Sequence, residues 1–187
     1  ETYETSSVGK PNKNFMQVSE VPGILVAMPA LKDTFFDKSV ILLCNYDEEG
    51  AFGLVMNNPT PTLVKEILPK EMQENIAPNM PLLLGGPVQP ESFWAVHSPD
   101  FSVEETTILS PKINLSSAQD VLDSLSNGNE VQSYHFGCGY AGWGAGQLDR
   151  EIQEESWWLG PLDELLLLDL EYDLRWDYHQ QICECKR

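Results

Sequence analysis

FGCGYAGWGAGQLDREI, from Phe136 to Ile152, lies between an apolar run and a charged helical pattern, and no other stretch narrows the possible folds as much. It holds Gly137, Gly139, Gly142, Gly144 and Gly146, with Tyr140 and Trp143 set among them. Glycine has no Cβ, so it takes positive φ freely and lets another backbone come close. The segment is expected to be a shaped structural turn leading from a strand into a helix. A β-branched residue at Gly142 would then be strained, provided Gly142 takes positive φ.

The flanking pattern is one of short strands. Gly23 to Met28 is a buried apolar run that Pro29 ends. Ser39 to Cys44 and Ala51 to Asn57 enclose an acidic turn closing on Gly50, which reads as a hairpin. Thr62 to Leu68 reads as a short helix stopped by Pro69. Met80 to Leu84 and Ser92 to His97 form a second strand pair around Gly85-Gly86-Pro87, and Thr106 to Leu109 an edge strand. Ser116 and Gln119 have capping-box spacing, so a helix opens there; Asn127-Gly128 ends it. Val131 to Phe136 is a strand, Gly146 to Glu155 an amphipathic helix, Leu165 to Leu170 a strand and Leu174 to Cys183 a last helix. Strands joined by hairpins with helices interspersed give an α+β class rather than a doubly wound sheet. Residues 1–18 read as a flexible polar tail and 19–187 as one domain.

Charge limits the partners. The chain of 187 residues has 29 Asp and Glu against 11 Lys and Arg, a formal net charge of −18. Its lysines are scattered, and a surface without a basic patch does not neutralise phosphates. Direct nucleic-acid binding and attachment to anionic membranes are therefore not expected. No apolar run reaches the ~18 residues of a membrane-spanning helix, and the opening residues carry no apolar signal-peptide core. The partner is expected to be a protein or a small molecule; the pattern does not encode the oligomeric state. Four cysteines in a chain of this size do not form a disulfide framework, which points to a reducing, cytoplasmic setting.

Four constellations could carry chemistry. Gly137 to Gly142 matches G-x-G-x-x-G, the dinucleotide fingerprint. Trp143-Gly144 extends the loop past the point where the helix should begin, and the strand–helix–strand repeat is missing, so the match reads as structural. Cys44 is the candidate catalytic nucleophile, with His97 or His135 as its base, set against an inert thiol packed as a small hydrophobe. His179, Cys183 and Cys185 are soft donors near one end without a second ligand pair, so no metal is expected. No motif calls for a cofactor. Finally, the Tyr140 to Gln147 segment is expected to meet the strand ends at Cys44 and Asn57. Asn57, Tyr140, Trp143 and Gln147 are then the candidate binding residues. The competing reading is that Tyr140 and Trp143 fill the core.

GILVAMPALKDTFFDKSVILLC (Gly23 to Cys44), EGAFGLVMNNP (Glu49 to Pro59), LLGGPV (Leu83 to Val88) and the glycine segment together resemble the YqgE/AlgH family of bacterial proteins, over about Gly23 to Trp176. The resemblance implies an α+β fold with a bifurcated, mostly antiparallel sheet curled into a pseudo-barrel, with flanking helices. It implies no catalytic residues. Some members carry the label of transcriptional regulator. The chain departs from the family pattern at Lys38 and Asn58, where Arg is usual, and at Ala145, where Pro is usual. Three functions follow in order: a small cytoplasmic binding or regulatory protein; an enzyme using Cys44 with a nearby His; and the DNA-binding regulator of the family label, which the charge opposes.

Overall fold

In the computed structural model the described residues are 21–164, 172 and 175–177. Their apolar runs become the central strands. Gly23–Ala27 (β1) and Val40–Asp47 (β2) pair antiparallel, and β2 turns at Glu48 and Glu49 into Gly50–Val55 (β3). Pro59–Leu63 (β4) pairs with Pro81–Leu84 (β5), and the short helix Lys70–Gln73 (α1) lies between them in sequence. Val88–His97 (β6), Thr107–Ser110 (β7) and Ile113–Ser117 (β8) follow, then the helix Ala118–Ser126 (α2). Tyr134–Gly144 (β9) leads into the helix Gln147–Gln153 (α3) and the strand Trp157–Pro161 (β10).

The strands form a curled half-barrel in the order β10-β1-β2-β3-β9-β6-β8-β7, with β4 and β5 off that path. All pairings are antiparallel except β5 with β9. This is the α+β class expected from the order of elements and the curled, mostly antiparallel sheet that the family resemblance implies. The fork lies at β9. Its C-terminal half, Ala141 to Gly144, pairs with β3, while its N-terminal half pairs with β6 and, in parallel, with β5. One strand serves three neighbours, and side chains must give way where they converge.

That convergence explains the glycines and corrects the expected turn. Gly137, Gly139, Gly142 and Gly144 all lie within β9; only Gly146 stands at a helix start, with φ of 74°. A Cβ at Gly137 would lie 2.3 Å from the ring of Trp94, so this glycine makes room for an indole across the β6–β9 pair. Trp94 then donates from Nε1 to the Gly139 carbonyl at 2.7 Å. Gly139 has φ of 74°, which favours glycine, and its Cβ would meet the Gly86 carbonyl at 2.4 Å. Gly142 has neither constraint: no left-handed φ, and a Cβ there would find only the Tyr140 ring at 3.5 Å.

Other elements differ more narrowly. Thr62 to Leu68 splits into the end of β4 and a 3₁₀ turn at Val64–Ile67. β5 and β6 do not pair with each other; each lies against β9 instead. The cap of α2 is Ser117, whose hydroxyl accepts from the Asp120 N–H at 3.2 Å, because the Ser116 hydroxyl is engaged elsewhere. The expected strand at Leu165 to Leu170 lies outside the described residues, as does most of the expected last helix, of which Arg175 to Asp177 are helical. The expected tail, His179, Cys183 and Cys185 also lie outside them.

Three buried layers hold the sheet. One face carries Ile24, Val26, Val40, Leu42, Leu54, Met56, Trp94 and Val96. The opposite face is covered in part by α2 through Val121, Leu122 and Leu125, and in part by α3 through Leu148 against Trp143 and Trp157. Fully burying a side chain of the Leu or Val kind contributes roughly 1.5–3 kcal/mol, so these layers dominate stability.

Candidate functional site

The expected site residues separate when placed on this sheet. Cys44 is the extra residue of a bulge in β2, where Leu43 pairs with Gly53 and Asn45 with Phe52. Its side chain packs on the first core layer, and Sγ lies 3.5 Å from the Leu42 carbonyl. Burial pushes its thiol up to about 12, the opposite of what a thiolate nucleophile needs. His97, one of its two expected bases, is fully buried in a different setting. Its Nδ1 lies 2.8 Å from the Ser98 carbonyl, so Nδ1 carries the proton; Nε2, 2.8 Å from the Ser116 hydroxyl, accepts. Ser116 is in turn 2.8 Å from Thr106 Oγ1. His135, the other, has its Nδ1 2.9 Å from the Tyr172 hydroxyl.

Asn57 is a clamp. Its Oδ1 accepts from Val40 N–H and its Nδ2 donates to the Lys38 carbonyl, both at 2.8 Å, which fastens the start of β2 to the end of β3. Gln147 and Trp143 are similarly committed. Gln147 Oε1 accepts from Gly144 N–H, and its Nε2 donates to Glu151 Oε2. The indoles of Trp143 and Trp157 both donate to Glu151 Oε1 at 3.0 Å, with their rings 5.9 Å apart and nearly perpendicular. One carboxylate thus satisfies two buried indole N–H groups, a role that sequence spacing did not reveal.

Tyr140 is different. It projects from the face of β9 that carries Gly142 and Gly144, and its half-buried ring meets Phe52 edge-on at 5.8 Å. Phe52 pairs with Gly142 across β3 and β9, and Val88 pairs with Tyr140 across β6 and β9. Two clefts flank this aromatic pair and share both of its members. The larger, about 420 Å³, runs over Gly142 and is bounded by Asn45, Asp47, Glu49 and Val88. The smaller, about 290 Å³, continues past Phe93, Trp94 and Thr107 to Glu105. Trp143 also borders the larger cleft, while Cys44, Asn57 and Gln147 border neither. A third cleft, about 500 Å³, lies by Asn129 and Tyr134, shares no lining residue with the other two and is lined chiefly by polar loop residues.

The two clefts form a saddle. Its walls are aromatic and aliphatic, with Val88 and Phe93 at 36% and 46% exposed. Its floor at Gly142 is bare backbone. Its charged edges are carboxylates, Asp47 and Glu49 at one end and Glu105 at the other, and among the described residues no Lys or Arg borders either cleft. Sequence reading named Tyr140 and Trp143 but missed Phe52, Val88 and Phe93. These come from two strands, β3 and β6, that meet only through β9, so nothing local in the sequence links them.

A family model described as AlgH-like matches residues 24–186. A UPF0301 protein of Shewanella woodyi is 39% identical over 159 residues, covering 82% of this chain and 85% of that protein. A UPF0301 protein of Neisseria meningitidis serogroup C is 36% identical over 159 residues, covering 81% and 85%. Among solved structures, the AlgH protein of Pseudomonas aeruginosa superposes with a TM-score of 0.70 at 31% identity, covering 85% of this chain and 86% of that one. A Corynebacterium diphtheriae protein at 22% identity, also with a TM-score of 0.70, shares the fold. None of these names states an activity. With a family model over nearly all of the described residues and relatives well above 30% identity, the chain belongs to the AlgH-like family.

Proposed function

We propose that this is a small cytoplasmic binding protein that takes a partner on the Phe52–Tyr140 saddle and performs no chemistry with Cys44. The observation that carries this reading is Gly142. Glycine weakens a strand, and here neither φ nor packing demands it. What its missing side chain does is keep the larger cleft open beside Phe52 and Tyr140. Binding sites combine apolar walls with a few fixed polar groups in this way. The free thiols Cys44 and Cys138 suit a reducing compartment, and among the described residues no helix is long and apolar enough to cross a membrane.

The raised Cys44 thiol weighs against the enzyme reading, and the charge of −18 against direct DNA binding. The test is amide chemical-shift mapping with N-acetyltryptophanamide, an uncharged aromatic probe. Shifts are expected to cluster at residues 45–52, 88–94 and 140–144. A titration in which those amides stay still while others move would place binding elsewhere.

A further inference from the structure

The saddle has a charge sign as well as a shape. Asp47 and Glu49 are exposed at the mouth of the larger cleft, and Glu105 is exposed at the far end of the smaller. Between them lie the rings of Phe52 and Tyr140, packed edge-on against each other, and the backbone at Gly142. Among the described residues, no cationic side chain borders either cleft. An anionic partner would meet like charge at both ends without a compensating donor, and the whole chain, at −18, adds to that repulsion. A cation meets opposite charge at both ends of the same path.

Resting on the saddle as the binding site, we propose that its occupant is an arginine-bearing segment of a protein partner, with a guanidinium laid over Gly142 against Tyr140 and Phe52. Three features select arginine. A guanidinium is planar and weakly hydrated, so it stacks on aromatic faces where an ammonium remains solvated. Gly142 supplies a floor with no side chain to displace it. Asp47 Oδ1 and Oδ2 already accept from Glu49 N–H and from the Asn45 amide, which fixes the carboxylate at the cleft mouth without neutralising it. The neighbouring apolar positions Val88 and Phe93 suit an aliphatic residue next to the arginine. A segment alternating basic and apolar residues would therefore fit both clefts.

The test uses the full chain and four capped hexapeptides that alternate leucine with Arg, Lys, Gln or Glu, read by calorimetry and amide shifts. The Arg peptide is expected to bind saturably, more tightly than the Lys peptide and far more tightly than the Gln or Glu peptides. Gly142→Leu, which leaves the charge unchanged, is expected to weaken it at least about tenfold, as loss of an interface anchor does. Asp47→Asn and Glu49→Gln should each weaken it about two- to fivefold, the size of an exposed ion pair. Equal binding of the Arg and Gln peptides, or Arg binding indifferent to Gly142→Leu, overturns the proposal. If N-acetyltryptophanamide binds in the saddle but the Arg peptide does not, the cationic occupant is refuted and the saddle stands. If neither probe shifts the saddle amides, both are refuted.

Discussion

Phe52 faces Gly142 across the β3–β9 pair, an aromatic ring opposite a residue with no side chain, and its ring turns instead to meet Tyr140 two positions away. At Gly137 and Gly139 glycine is a packing requirement; here it is not. Gly142→Val is therefore expected to fold with a melting temperature at or slightly above the wild type. A β-branched residue suits an extended strand and removes glycine's entropic cost of roughly 0.5–1 kcal/mol. This reverses the strain expected if Gly142 had positive φ. A melting temperature lowered by several degrees would show that the backbone there needs glycine.

Gly137→Ala should behave in the opposite way. Its new methyl would lie 2.3 Å from Trp94, whose ring is also hemmed in by Gly85 and tied by its N–H to Gly139. Overpacking of this kind costs about 1–3 kcal/mol or more. Urea denaturation should show a clear loss of stability, with Trp94 fluorescence altered in the native baseline; an unchanged midpoint would mean that the indole has room to move.

Glu151→Ala would orphan the indole N–H groups of Trp143 and Trp157, at 7% and 2% exposed. Each unsatisfied buried donor costs about 1–3 kcal/mol. Glu151→Gln, which retains an acceptor oxygen, should recover much of the loss. If both variants melt alike, hydrogen bonding to the indoles is not what the carboxylate contributes.

Acid should destabilise the fold through His97. Burial pushes its imidazole below the usual histidine range, against the opposing pull of the Ser98 carbonyl and the Asp100 charge. The unfolded chain thus binds a proton more readily than the native one, and stability rises with pH. The contribution is complete above the ordinary value of 6.5 and is lost as pH falls below it. Denaturation midpoints measured from pH 8 to pH 5 should decline below about pH 6.5, with a shallower decline in His97→Gln. Equal slopes in the two proteins would remove His97 from the account.

Cys44 should resist iodoacetamide at pH 8 in the native protein and react once the chain is unfolded. With its thiol at about 12, only about one molecule in ten thousand carries the reactive thiolate at that pH. Mass spectrometry of the Cys44 peptide after brief native alkylation decides this, and rapid labelling would restore a nucleophilic role.

The sequence showed the strands that stand on continuous apolar runs. β1 and the β2–β3 hairpin follow from Ile24 to Ala27, Ile41 to Leu43 and the acidic turn between Asp47 and Gly50. Glycine misled where tertiary crowding governs: Gly137 and Gly139 look like turn residues, yet they exist to admit Trp94 and a neighbouring backbone within a strand. β10 went unseen because Trp157 to Pro161 is short and ends in Gly-Pro; its strand character comes from pairing with β1, far away in sequence. The capping serine was misplaced by one residue because Ser116 is drawn to His97, a partner no local rule supplies. The saddle was only half legible for a similar reason. Tyr140 stands out in its glycine setting, but Phe52, Val88 and Phe93 acquire meaning only when the fork at β9 brings three strands together.

Gly142 serves the cleft and not the fold. This is tested most directly by titrating isotopically labelled wild type and Gly142→Leu with N-acetyltryptophanamide and following their amide shifts. The variant is expected to keep the wild-type spectrum away from residues 45–52, 88–94 and 140–144, and the probe no longer to move those amides. A folded variant showing the same probe-induced shifts as the wild type would contradict it.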